Sequence, residues 1–204
     1  MVTSRWDPRE VMFLPEGVLD EEITLESIRA DLGDLNDGLN NFIANEAQKV
    51  FAILSLSIDS PETIATAIRL IFERRDILDD KKLPVPRPPP EPEEGTEEDD
   101  ADISYVLWDI DPEEKVFTRM RIENFYDRQW SVLSPVISNS PERYFNEHCT
   151  SQHIMPFTSY VDMQTQGAFS QIFKITIHPK HFEDALGNWV SLRLRKHNAH
   201  DINK

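Results

Sequence analysis

Cysteine is nearly missing from this chain: Cys149 is the single one among 204 residues. A lone thiol cannot build an internal disulfide framework, and it fits a reducing compartment. Long apolar runs are missing too. No stretch approaches the roughly 18 uninterrupted apolar residues that a membrane-spanning helix needs. The N-terminal MVTSRWDPREVMFLPEG carries charges and prolines where a signal peptide has its apolar region. These absences lead to the expectation of an intracellular protein, cytoplasmic or nuclear. Positive charge is scarce as well: 21 Lys and Arg stand against 37 Asp and Glu, a formal net charge of -16. Nucleic acid and anionic membrane both require clustered positive charge, so neither is expected as the main partner.

The residues that are present, 39% of them hydrophobic, can form a modest core. Their patterning predicts an α+β fold in three parts. These are a helical module over 1–83, a disordered acidic and proline-rich linker over 84–102, and a mixed region over 103–204. Residues 1–20 contain Trp6, Val11, Met12, Phe13 and Leu14, but Pro8, Pro15 and Gly17 break any period, which predicts an irregular arm laid on the following domain.

Three helices are expected next. Thr24 is placed to cap the first, in which Leu25, Ile28, Arg29 and Leu32 share a face and Gly33 is the stop. The second is read as one long helix from Asp37 to Ser57, striped by Leu39, Phe42, Ile43, Ala47, Val50, Phe51 and Leu54. Ser60-Pro61-Glu62 starts the third: a capping serine, a proline where its missing N–H does no harm, and an acid at the positive end of the dipole. Ile64, Ala67, Ile68, Ile71 and Phe72 give it a matching stripe.

Residues 84–102 hold six prolines, eight acids and one arginine. Repelling charges and stiff prolines predict an extended, disordered tether. Pro86 and Pro89, beside Arg87, have the P-x-x-P spacing of a proline-rich ligand, although the flanking charge is mostly of the wrong sign for one.

Beyond the linker, Ile103, Tyr105 and Leu107 alternate, Asp111-Pro112 marks a turn, and Val116-Phe117 restarts, which predicts a hairpin or a strand leading into a helix. Ile122, Phe125, Tyr126, Trp130 and Leu133 then recur at helical steps until Pro135, and this cluster is expected to pack on the sheet that follows. Residues 138–152 read as loop. Strands are expected at about 157–166, 169–178 and 188–195. In the second, Ile172, Lys174 and Thr176 share one face, and Gln171, Phe173, Ile175 and Ile177 the other.

The segments FYDRQWSVLSPVI and GAFSQIFKITIHPKH resemble a group of fungal protein-kinase-like proteins. In those, a QW-x-x-L-x-P-V segment leads into a hairpin of the form GGFS-x-V-Y-K-V-K-I-H and a third strand of the form F-A-L-K-R-L. Gln129, Trp130, Leu133, Pro135 and Val136 fit the first element. Gly167, Phe169, Ser170, Ile172, Lys174, Ile175 and His178 fit the second, and Val190 to Arg193 stand at the third. A K-V-F-A-I-L motif at Lys49 to Leu54 extends the likeness into the helical part.

The resemblance implies the start of a kinase small lobe. There a glycine-rich hairpin covers the ATP phosphates and a third-strand lysine grips them. It assigns nucleotide contacts to Gly167, Phe169, Ser170, Ile172, Ser191 and Arg193. Thr165 and Ser170 stand where two of the three glycines belong, and Arg193 stands for the lysine. The sequence contains no His-Arg-Asp catalytic loop and no Asp-Phe-Gly metal ligand, so no catalytic residue is assigned. No cofactor is expected, with ATP entering only if the chain is part of a larger kinase. A protein partner is expected to cover the open sheet edge.

The six histidines do not form a zinc pattern: His178 and His181 are three apart, as are His197 and His200, and Cys149 lies near His148 and His153. They are read as surface or loop residues. Nothing frames Cys149 as a nucleophile.

Overall fold

The computed structural model describes residues 1–6, 10–33, 36–90, 105–113, 115–138, 149–162, 170–183 and 192–197. It mixes helix and sheet in two compact units, one formed by 18–132 and the other by 1–17 together with 133–204. This division differs from the three-part organisation expected from composition. The N-terminal arm belongs with the C-terminal sheet, and residues 105–132 belong with the helices.

The helical unit contains α1 (Val18–Glu22), α2 (Leu25–Leu32), α3 (Asp37–Glu46), α4 (Gln48–Ser57), α5 (Pro61–Glu73), a 3-10 turn at Asp80–Lys82, α6 (Val106–Ile110) and α7 (Arg119–Val132). Thr24 caps α2 in a capping box with Ser27, and Gly33 closes it at φ 74°, a value that favours glycine. Ser60 caps α5 by accepting from the Thr63 N–H, with Pro61 in the first turn. Both starts follow the sequence signals.

The expected long helix is instead two. At Ala47 the backbone leaves the helical region (φ -139°, ψ 31°), and its N–H turns back to Phe42 O at 3.0 Å. Alanine cannot cap α4, so the acceptors come from elsewhere. The Asp80 carboxylate accepts the Lys49 N–H at 3.0 Å and the Val50 N–H at 2.9 Å. Without such partners two partly buried donors would be orphaned at the start of a helix. Val50, Phe51, Ile53 and Leu54 of α4 are all buried, and α7 packs along it with Ile122, Phe125 and Val132 in the same core.

The expected strand at Tyr105–Leu107 is not one: Tyr105 is followed by α6, and Ile103 lies outside the described residues. The turn at Asp111 is present, and its carboxylate accepts the N–H groups of Val116 (2.6 Å) and Phe117 (2.9 Å), which seats Phe117 in the core. The expected disordered linker is also corrected in its first part. Residues 84–90 are placed, and Val85 and Pro88 are buried. The remainder, 91–102, lies outside the described residues.

In the other unit, β1 (Val2–Thr3) and β2 (Met12–Phe13) form a small antiparallel pair. β3 (Ile137–Ser138) pairs in parallel with β6 (Phe182–Glu183). β4 (Phe157–Asp162), β5 (Ser170–Ile177) and β7 (Leu192–His197) form an antiparallel sheet in the order β4-β5-β7. The alternation in β5 is as expected: Ile175 and Ile177 are buried, Lys174 and Thr176 exposed. The apolar face is Phe157, Ile175 and Ile177 with Ile137, and Trp6, Met155, Phe173 and Phe182 pack against it. Trp6 meets Phe157, Tyr160 and Phe173 edge-on, with ring centroids 5.4 to 5.9 Å apart. The arm is tied down by Ser4 Oγ donating to Met155 O (2.7 Å) and by the Arg5 N–H donating to Phe157 O (2.8 Å).

The surface assignment of the histidines fails for His181, which is buried. Its Nδ1 lies 3.0 Å from Pro135 O, and its Nε2 accepts the Glu16 N–H at 3.0 Å. The ring thus joins the arm to the segment entering β3. His178 lies beside it, with ring centroids 6.0 Å apart. Burial holds the His178 pKa below its ordinary value of 6.5, and the neighbouring His181 and Lys180 push in the same direction.

Asp80→Ala leaves two α4 donors unpaired and should lower unfolding stability by about 1–3 kcal/mol in a denaturant titration. Burial raises the Asp80 pKa more than its two backbone bonds lower it. The protonated form is therefore favoured on folding, and that contribution is lost as pH rises through the folded pKa. Asp80→Asn, neutral with one acceptor oxygen, should lose less than the alanine variant and remove this pH dependence. His178 has the opposite sign: its contribution is fully present above 6.5 and is lost as pH falls through the depressed folded value. His178→Gln should flatten the stability profile between about pH 7.5 and 5; an unchanged slope would show that other groups set it.

Candidate functional site

Of the six residues assigned to a nucleotide site, Gly167, Phe169 and Ser191 lie outside the described residues. The other three share one sheet. Ser170 opens β5 opposite His197, Ile172 stands opposite Arg195, and Lys174 stands opposite Arg193. Residues directly opposite in an antiparallel pair, and those two apart along a strand, share a face. Lys174 and Thr176 therefore share one face of β5. This face carries the exposed Lys174 and Thr176, opposite to the one that carries buried Ile175 and Ile177.

Like charges placed directly opposite destabilise a sheet. The backbone register sets Lys174 opposite position 193, an arginine, in a chain whose net charge is -16. On β4 the neighbours on this face are uncharged. Val161 stands opposite Lys174, and Ser159 Oγ donates to Thr176 Oγ1 at 2.8 Å. Among the described residues no group of three or more His, Cys, Asp or Glu is placed to hold a metal ion. Cys149 is exposed.

A second constellation was not foreseen from sequence. The side-chain amide of Gln129 on α7 pairs with both backbone groups of Val85: Val85 N–H donates to Oε1 at 2.8 Å, and Nε2 donates to Val85 O at 3.0 Å. Tyr105 Oη donates to Pro86 O at 3.0 Å, and Arg119 Nη2 to Pro89 O at 2.7 Å. Three side chains from α7 and the residue before α6 thus hold one proline-rich strand by its backbone. Burial, and to a lesser degree the nearby Tyr126 phenol, push the Tyr105 pKa far above its ordinary value, so this hydroxyl stays a donor. Between the strand and α7 lies a cleft of about 500 Å³ lined by Arg87, Pro88, Pro90, Arg119, Glu123, Tyr126 and Asp127. Arg119 also reaches Glu123 at 3.2 Å. In the sequence, the P-x-x-P spacing points to this strand, whereas Gln129 falls in the Q-W motif.

Gln129→Ala should strip Val85 of both partners and cost about 1–3 kcal/mol. Protease cleavage within 84–90 should quicken in the same variant; an unchanged cleavage rate would show that the amide does not hold the strand.

No helix among the described residues is long and apolar enough to cross a membrane. No family model matches this chain, and neither a curated protein nor a solved structure matches it.

Proposed function

We propose that this chain is a non-catalytic interaction or regulatory protein that carries an incomplete protein-kinase-like domain over its C-terminal sheet. The observation that carries this reading is the register between β5 and β7. It brings Arg193, which stands for the third-strand cation, opposite Lys174 in the hairpin's second strand. Support also comes from the antiparallel order β4-β5-β7, the order implied by a glycine hairpin followed by a third strand. The absence of His-Arg-Asp and Asp-Phe-Gly from the sequence argues against phosphoryl transfer. In this reading the sheet is a binding element of an intracellular protein, the basic face is a weak anion site, and a protein partner covers the outer edge of β7.

A second reading is the N-terminal part of an ATP-dependent serine/threonine protein kinase, with the helical unit regulatory. It is favoured by β7 itself, which among the described residues pairs on one side only.

Titration with Mg-ATP should show weak binding and no phosphate transfer to a generic acceptor protein. Arg193→Ala should weaken that binding about tenfold, the loss expected for one charge-assisted hydrogen bond. An unchanged affinity removes Arg193 from the site. The intact mass of the endogenous protein separates the two readings: 23.7 kDa supports the first, and a mass larger by a kinase large lobe selects the second.

A further inference from the structure

Residues 85–90 show a burial period of three. Val85 and Pro88 are buried, Pro86, Arg87 and Pro90 are exposed, and Pro89 is half-buried. A polyproline-type helix has three residues per turn and makes no internal hydrogen bonds, so residues i and i+3 share a face and the backbone must find partners elsewhere. Proline fixes φ near the value this helix requires, and five of the seven residues from 84 to 90 are proline. The partners are the Gln129 amide, the Tyr105 hydroxyl and the Arg119 guanidinium. One face of the strand is therefore taken, and its backbone is held. Pro86 is exposed and Pro89 half-exposed on the face they share, and the flank of Arg87 and Pro90, both exposed, lines the cleft along α7.

We propose that residues 84–90 are a pre-formed polyproline-type ligand, held on the helical unit for the aromatic groove of a partner protein, with Arg87 meeting an acidic pocket of that groove. Such grooves read the P-x-x-P pattern and draw affinity from a strand that is already extended. A free peptide must lose chain entropy on binding, and the clamp removes much of that cost beforehand. Charge sets the partner's polarity. Arg87 and Arg119 share the cleft with Glu123 and Asp127, and eight acids follow in sequence from Glu91 to Asp102. The partner should thus be acidic where it meets Arg87 and basic beyond Pro90. This surface belongs to the helical unit and goes beyond the kinase-like reading.

The test is binding of the full chain to a panel of recombinant SH3 and WW domains, measured by fluorescence anisotropy at 0.15 M salt. At least one domain should bind. The double variant Pro86→Ala/Pro89→Ala should weaken binding at least about tenfold, and Arg87→Glu should do likewise, with the Tm of both unchanged. Gln129→Ala should bring the affinity down to that of a free 84–92 peptide. The proposal is overturned if no domain binds, if binding survives the double proline variant, or if the peptide binds as tightly as the intact chain. It is also overturned if binding and Tm fall together, because the prolines would then be packing residues rather than a displayed ligand.

Discussion

The start of helix α4 depends on the Asp80 carboxylate, which supplies, from thirty residues away, the acceptors that Ala47 lacks. Backbone donors at a helix start need partners wherever water cannot reach them, and an alanine cap provides none. With Asp80 in place the chain can break at Ala47 and restart as α4, whose buried Val50, Phe51, Ile53 and Leu54 form the centre of the unit. Asp80 sits in the 3-10 turn Asp80–Lys82, which Asp79 holds by accepting the Lys81 N–H. That same turn leads directly into the proline-rich strand, so one short segment both caps the central helix and launches the strand that α7 holds.

The proline-rich strand follows similar logic. Prolines have no N–H to give, and a polyproline-type strand satisfies nothing internally. The Val85 N–H and the carbonyls of Val85, Pro86 and Pro89 are met by side chains of suitable reach: an amide that both donates and accepts, a phenol and a guanidinium. Burying Val85 and Pro88 while leaving Pro86 and Arg87 in solvent is the natural result of a three-residue repeat lying on a helix. The acidic run beyond Pro90 has no comparable apolar residues to bury.

In the C-terminal unit the first residues of the chain complete a sheet built from residues far along it. A three-stranded sheet presents one apolar face that must be covered. Trp6 lies edge-on to three aromatic rings of that sheet, and Ser4 and Arg5 hydrogen-bond to the segment around Phe157. His181 joins the arm to the start of β3 because an imidazole can donate at one nitrogen and accept at the other. The opposite face carries Lys174 and Thr176 in solvent.

Local chemistry was legible in the sequence wherever the signal was short in range. The Thr24 and Ser60 caps, the Gly33 stop, the helix through Ile122 and Phe125, and the alternation of Ile175 and Ile177 each depend on residues within a few positions of one another, and each stands where the pattern put it. The sequence also determined the charge balance and the lack of a disulfide framework. Tertiary structure decided what rests on distant partners. It broke the stripe from Asp37 to Ser57 at Ala47, because the acceptors came from Asp80. It ordered the start of the linker, because Gln129, Tyr105 and Arg119 satisfied its backbone. It sent the N-terminal arm to the sheet, and residues 105–132 to the helices, because burial depends on which surfaces meet and not on which segments are adjacent. Periodicity reports the face that an element will bury; only the folded chain determines what it is buried against.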